Sequence, residues 1–532
     1  MEMADERTVN ESGTVERAKP SLFRNALSNW LPLGTNMVLK FLLIPFLIAR
    51  LGTARYGIWI LVSSFVGYYG LLRLDVGSGV MRYVPFYAGQ NRRKEAGEII
   101  STAMAVYISV GVLVLVLSNI IAEPLTRFYE GGKEFSLLVR VMGLAASFEC
   151  VMRIFEVSLR AFEKWISANI VVVTVSILQA AGLALCVYRG LGLFEMGLVV
   201  AGATVVSLLL MLILFRHCCR DIRLSMRGIR FHHLKSLTTF GVLTMIVTLV
   251  GTFRIQGHEL IIGKLISVEA VGIYAVAGWL IKDAKALVTA PNRVFWPRFA
   301  WLDGGKKTTE VSSLFVRSTK VNAIFSAGLV LIIMTAGSAF INLWVGKGFE
   351  SVFGALMILA AAVLIETSLT STGMLLAGTG RQRFQAIAML MEGVIGIGLG
   401  IVFVRYLGLA GMALGYLISV SLMRGVVCVW YICRIFGMSM FGYYADAVLR
   451  PWLILFLLAG AAKAVGISSH LNSWVSLIAF VFVVCVVYSG FVYFVGIDSD
   501  TRKSVLEKMK RAGSLVSVRA GFVRPADVNA VD

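Results

Sequence analysis

Residues 192–215 read GLFEMGLVVAGATVVSLLLMLILF, with Glu195 as their one charged side chain, and Arg216, Arg220, Arg223, Arg227 and Arg230 follow close behind. A helix needs roughly 20 apolar residues to cross a hydrocarbon core of about 30 Å. This stretch therefore reads as a membrane span that ends in a basic loop. Comparable runs occur at about 27–49, 56–74, 98–120, 136–159 and 167–188, then at about 237–263, 268–292, 318–342, 352–377, 384–405, 409–433, 447–467 and 473–496. The expectation is an all-α polytopic membrane protein with about 14 transmembrane helices. Composition agrees: 58% of the 532 residues are apolar and 15% charged, against about 45–50% and about 25% in soluble chains. The first twenty residues are polar and no small-residue cleavage site follows the first run, so the first helix is expected to remain as an anchor.

The chain carries 50 Lys+Arg against 30 Asp+Glu, a formal charge of +20. In a soluble protein that would raise nucleic acid as a partner. Here the basic residues alternate by side. About 33 fall on the N-tail, the C-tail and every second loop, whereas about nine, including Arg50, Arg55, Arg127 and Lys133, fall on the opposite side. Basic residues stay cytoplasmic, so both termini are expected in the cytoplasm of a multi-pass inner-membrane protein. The outer loops are short, the longest running from about Ala122 to Phe135, and leave no extracytoplasmic domain for a catalytic centre. The seven cysteines show no CxxC spacing and read as free thiols.

Similar segments recur at an offset of about 212–216 residues. Ile48-Ala49-Arg50-Leu51 with Gly57-Ile58-Trp59 matches Ile262-Gly263-Lys264-Leu265 with Gly272-Ile273-Tyr274. Pro85-Phe86-Tyr87-Ala88 matches Pro297-Arg298-Phe299-Ala300, Leu159-Arg160-Ala161 with Lys164 matches Leu376-Ala377 with Arg381, and Leu191-Gly192-Leu193 matches Leu407-Gly408-Leu409. A unit of six spans is even, so the two copies enter the membrane from the same side and are related by an axis along its normal, with a central cavity between them. The expected organisation is an N-terminal tail (1–21), an N-lobe (22–218), a basic linker (219–236), a C-lobe (237–435), two appended helices (446–497) and a C-terminal tail (498–532).

Walker, HExxH and Cys/His ligand patterns are absent from the sequence, so no cofactor, metal or enzymatic activity is expected. Gly396, Gly398 and Gly400, with Gly411 and Gly415, sit in apolar runs and read as helix-packing positions. What remains is a set of ionisable residues inside spans, each costing at least about 2.5–3.5 kcal/mol at the helix centre and so facing a partner or a wet cavity. The basic members Lys40, Arg254, Lys282, Lys285 and Arg424 are candidates for a cationic, substrate-binding cavity, and Lys40 and Arg254 correspond in the repeat. Arg293, near a cytoplasmic end, is expected to snorkel. Glu149, Glu156 and Asp283 are further intramembrane acids, and Glu259, Glu366 and Glu392 are candidates for coupling to H+ or Na+. Structural pairing, for instance of Glu366 with Arg424, is the competing reading of the same charges.

The motifs Leu51-Gly52 with Tyr56-Gly57-Ile58-Trp59, Leu72 through Asp75-Val76-Gly77, Arg82-Tyr83, Ala377-Gly378 with Gly380-Arg381, and Leu407-Gly408-Leu409 resemble those of Wzx-type polysaccharide flippases. These belong to the multidrug/oligosaccharidyl-lipid/polysaccharide (MOP) exporter superfamily, and the likeness covers most of residues 21–435. The resemblance implies two lobes around a V-shaped cavity and transport of a polyprenyl-pyrophosphate-linked oligosaccharide from the cytoplasmic to the outer leaflet. It also implies a groove for the lipid tail at the last two helices, and membrane lipids and other polysaccharide-biosynthesis proteins as partners. Arg24-Asn25 stands where lipid II flippases carry an Arg-Asp pair, which argues against lipid II as cargo. Three other readings compete. A MATE-like drug antiporter calls for an acidic cavity, and a glycosyltransferase or polymerase calls for a large outer loop. A non-transporting component of a polysaccharide pathway calls for neither.

Overall fold

A computed structural model describes residues 7–9, 15–17, 28, 30–73, 76–222, 224–225, 229, 257–289, 292, 295–346, 348–466 and 471–496. Regular structure among them is helical apart from two paired three-residue antiparallel strands, Arg7–Val9 and Val15–Arg17. The first helices are α1 (Trp30–Tyr69), α2 (Val76–Gly89), α3 (Arg93–Tyr129), α4 (Gly132–Ala161), α5 (Trp165–Tyr188) and α6 (Leu193–Cys218). After them come α7 over 257–265, α8 (Val268–Thr289), α9 (Phe295–Gly304), α10 (Thr308–Trp344), α11 (Val352–Ser368) and α12 (Thr370–Gly378). The chain continues through α13 (Gln382–Leu407), α14 (Leu409–Val420), α15 (Val429–Ile435), α16 (Met440–Tyr444), α17 (Arg450–Ala464) and α18 (Trp474–Phe491).

Eleven stretches among the described residues are long and apolar enough to cross a membrane. Three features separate this number from the expected one. The two spans expected over 27–74 lie in one stretch, Trp30–Arg73, broken at Gly52. Gly52 has φ 77° and ψ 165°, a left-handed value that a residue without Cβ adopts freely, so the helix axis changes direction there. The span expected over 237–263 lies outside the described residues as far as 256. In α8, Lys282, Asp283 and Lys285 crowd one end and lower the hydropathy of a 22-residue helix. Two helices were not expected: α2 and α9 continue the chain where the sequence reads as loop, and Pro85 and Pro297, matched in the repeat, lie in them.

Glu195, the one charge of the opening stretch, sits in the first turn of α6 and accepts a hydrogen bond from the Gly192 N–H at 2.8 Å. It thus meets the positive end of the helix dipole, and the next charge on α6 is Arg216 in its last turn.

The chain divides into two compact units, one of Met1–Trp279, Val345–Ala355 and Met389–Tyr416, the other of Leu280–Trp344, Leu356–Ala388 and Leu417–Asp532. The first has a core in which Tyr107, Ile154, Leu159 and Phe215 are buried. The core of the second includes Phe299, Leu375 and the stacked pair Phe315 and Tyr443, whose ring centroids lie 4.9 Å apart. In both, small polar side chains are buried, among them Ser118, Ser158, Thr319 and Asn322, while Leu42, Ile120, Ile213, Phe325 and Phe482 are exposed. That distribution suits a surface facing acyl chains.

Within the first unit α1 and α8 cross backbone against backbone. A Cβ on Gly57 would fall 2.0 Å from the Val268 carbonyl oxygen, and one on Gly272 would fall 2.9 Å from the Thr53 carbonyl oxygen and 3.1 Å from the Gly57 nitrogen. The repeat-matched glycines of Gly57-Ile58-Trp59 and Gly272-Ile273-Tyr274 therefore meet each other at one crossing, and Thr53 donates across it to Glu269 at 2.5 Å. Gly400 and Gly415 are likewise packed at the approach of α13 and α14. Gly57→Ala should destabilise the protein by about 1–3 kcal/mol, because backbone atoms cannot yield to the new methyl. Gly398→Ala, with nothing within 4 Å of the added Cβ, should leave stability unchanged. Thermal unfolding of the two purified variants in one detergent checks the contrast.

Candidate functional site

Among the described residues, four groups of ionisable side chains stand out within the helices, the first three in the first unit. Lys40, on α1, lines a cavity of about 280 Å3 bounded by α1, α5 and α8. Its ammonium lies 4.3 Å from the centroid of the Trp279 ring, where the ring's negative face stabilises it. Asn36, Ser63, Ser176 and Gln179 supply polar lining, and Tyr56 and Trp59 add aromatic surface. Among the described residues no carboxylate lines it.

The second group is a ladder on α4. Glu149, Arg153, Glu156 and Arg160 follow at spacings of four, three and four, which places them on one face. Arg73, at the end of the turn that follows α1, pairs with Glu149 at 3.2 Å, and Arg153 pairs with Glu156 at 3.0 Å. Arg160 reaches Glu156 at 2.7 Å and covers the Trp165 ring at 5.2 Å. Glu156 has a side chain only 4% exposed and is held by two guanidinium groups.

The third group surrounds helix α7. His258 is buried, with Nδ1 3.2 Å from the Tyr274 hydroxyl and its ring edge-on to Tyr274 and Tyr416. Glu259 accepts a hydrogen bond from the Ser64 hydroxyl. Glu392, on α13, is also buried.

The fourth group, in the second unit, centres on Glu366 of α11, whose side chain is 2% exposed. Lys285 Nζ lies 2.7 Å and Arg424 NH2 3.0 Å from the same carboxylate oxygen. Arg424 projects from a π-helical segment, Ser421–Cys428. There the Tyr444 hydroxyl donates to the carbonyl of Gly425, so a side chain helps to satisfy backbone that the widened turn leaves irregular.

Of the residues singled out in sequence, Lys285, Glu366 and Arg424 are brought together; Lys40 lines a cavity; Glu259 and Glu392 lie in the first unit. Lys282 is exposed on α8, and Arg254 and Arg293 lie outside the described residues. The α4 ladder and its partner Arg73 were missed as a unit because each charge was weighed separately, although their helical spacing could have found them. A second signal was also present. The register that sets Pro85 against Pro297 sets Arg73 against Lys285, and the one that sets Lys164 against Arg381 sets Glu149 against Glu366. Each unit thus holds one repeat-matched ion pair, Arg73–Glu149 and Lys285–Glu366.

The family model described as polysaccharide biosynthesis protein matches residues 48–354. The chain belongs to this family. Another protein like this family member is the uncharacterised membrane protein EpsK of Bacillus subtilis (strain 168), 20% identical over 484 residues that cover 89% of this chain and 95% of that protein. Two solved structures share the fold. The lipid II flippase MurJ in an inward closed conformation matches with a TM-score of 0.68 at 12% identity, over 88% of this chain and 99% of that one. An inward-facing multidrug resistance MATE family transporter of the MOP superfamily gives 0.65 at 15% identity, over 77% and 98%. The chain is an all-α polytopic membrane protein with the MOP fold, as its motifs imply.

Glu366→Gln would leave two cations facing an uncharged amide in place of a buried carboxylate, a change that costs about 3–5 kcal/mol when a buried pair is broken. Arg55 and Glu134, about half exposed and 3.2 Å apart, offer the comparison, since such pairs contribute about 0–1 kcal/mol. Unfolding in detergent should therefore show a large loss for Glu366→Gln and almost none for Glu134→Gln.

Proposed function

We propose that the protein is a flippase that moves a polyprenyl-pyrophosphate-linked oligosaccharide from the cytoplasmic to the outer leaflet of the inner membrane by alternating access, with both termini cytoplasmic. The observation that carries this reading is Lys40, an intramembrane cation set in a cavity of carboxamides, hydroxyls and aromatic rings, in a member of the polysaccharide biosynthesis family. Phosphates and sugar hydroxyls cannot enter hydrocarbon unaided, because each unsatisfied polar group costs several kcal/mol. A polar, cationic path removes that barrier.

Lys40, Arg254, Lys282, Lys285 and Arg424 are the cations that the anionic cargo meets along its path. Lys285 and Arg424 are held by Glu366, which fixes their positions without cancelling both charges. Glu259, Glu366 and Glu392 are the carboxylates through which H+ or Na+ would couple. An interior-negative potential favours outward movement of an anion by about 2.3 kcal/mol per charge per 100 mV when the charge crosses the whole field. Transport of this kind makes and breaks no covalent bond.

A MATE-like drug antiporter is the second reading, supported by the shared fold. Among the described residues the Lys40 cavity is lined by an ammonium and by no carboxylate, which argues against a cationic substrate there. In proteoliposomes that report the leaflet of a lipid-linked oligosaccharide, replacing Lys40 and Arg254 together by Ala should slow translocation at least about tenfold, with the protein still folded. Unchanged translocation would remove both residues from the path.

A further inference from the structure

The cavity beside Lys40 has more aromatic and carboxamide lining than a phosphate site needs. Pyrophosphate carries several charges and is held by clusters of Arg, Lys and backbone N–H groups. Among the described residues the lining provides one ammonium and no guanidinium. Asn36 and Gln179 each offer a carboxamide, which donates and accepts at once and so matches neighbouring hydroxyls on a ring. Trp59 and Trp279 offer flat apolar faces of the size of a sugar's C–H face. The volume, about 280 Å3, is just below the roughly 300–1,000 Å3 of ligand pockets, room for one ring rather than a chain. The Tyr56 hydroxyl, on a residue 1% exposed that also lines the cavity, faces the Trp279 side chain and helps to hold that indole in place.

We propose that this cavity is a subsite for a single pyranose bearing an anionic substituent such as a carboxylate, with the ring against indole, its hydroxyls on Asn36 and Gln179, and its charge on Lys40. The proposal rests on the reading of the chain as a lipid-linked oligosaccharide flippase and specifies which part of the cargo Lys40 meets. The ammonium is held over Trp279, so the cation and an aromatic face are presented together, an arrangement that favours a ring and a charge in the same ligand.

The test uses the full chain in nanodiscs, free of sugar-headed detergent, and saturation-transfer NMR with methyl glucuronide, methyl glucoside and inorganic pyrophosphate as probes. The glucuronide should bind more tightly than the glucoside, with saturation strongest on its ring C–H protons, and pyrophosphate should not displace it. Lys40→Gln should weaken glucuronide binding about tenfold and glucoside binding little, Lys40→Arg should restore the preference, and Trp279→Leu should weaken both. Equal binding of the two glycosides, no binding of either, or displacement by pyrophosphate would overturn the subsite. A parallel flipping assay separates the two levels. Wild-type protein that binds the glucuronide but moves no lipid-linked oligosaccharide would contradict the transport reading alone, and flipping without glycoside selectivity would contradict the subsite alone.

Discussion

Hydrocarbon solvates neither charge nor an open hydrogen bond, and this cost bears on where the ionisable side chains described within the helices sit. Glu366 is almost fully buried and holds two cations on one oxygen. Glu156 is held by Arg153 and Arg160. Lys40 lies over an indole ring in a polar cavity, the Glu259 carboxylate accepts from Ser64, and Glu195 sits in the first turn of its helix. A buried ion pair adds little net stability relative to a well-packed apolar core, yet it is costly to break. Such pairs are therefore better understood as devices that set the position of a helix or of a charge than as a source of fold stability.

The internal repeat gives these placements a second level of order. Arg73–Glu149 and Lys285–Glu366 occupy matched positions, one in each unit. The third member differs. In the first unit Arg153 comes from the same helix as Glu149, whereas in the second Arg424 comes from a π-helical segment of a different helix. The π turn at Arg424 is the kind of local irregularity that is retained at functional sites. The matched glycines Gly57 and Gly272 show the same principle in packing, since both are spent at one crossing of α1 and α8.

Much of the fold was legible because spanning helices are long, apolar and uninterrupted. The run 192–215 is recovered as Leu193–Cys218, and the glycines at 400, 411 and 415 pack helices closely, as their apolar setting implied, whereas Gly398, read in the same way, has nothing within 4 Å of an added Cβ. Helices α2 and α9 were not legible: they are short, carry prolines and lie beside basic loops, so hydropathy alone marks them as connections. The pairing of Glu366 with Lys285 as well as Arg424 was only partly legible, since α8 and α11 are far apart in sequence and the choice of partner depends on packing. The Lys40 cavity was not legible as a cavity. Asn36, Gln179 and Trp279 are unremarkable one at a time and acquire meaning only where their helices meet.

The central claim is that water reaches Lys40 within the span. Lys40→Cys in a chain stripped of its seven native cysteines, exposed to a charged, membrane-impermeant thiosulfonate, tests it most directly, because such reagents require a solvated thiolate. The account predicts modification at a rate approaching that of a cysteine placed in an exposed loop. A thiol at position 40 that stays unmodified while the loop control reacts would mean that Lys40 faces a dry environment, and the cationic path would be contradicted.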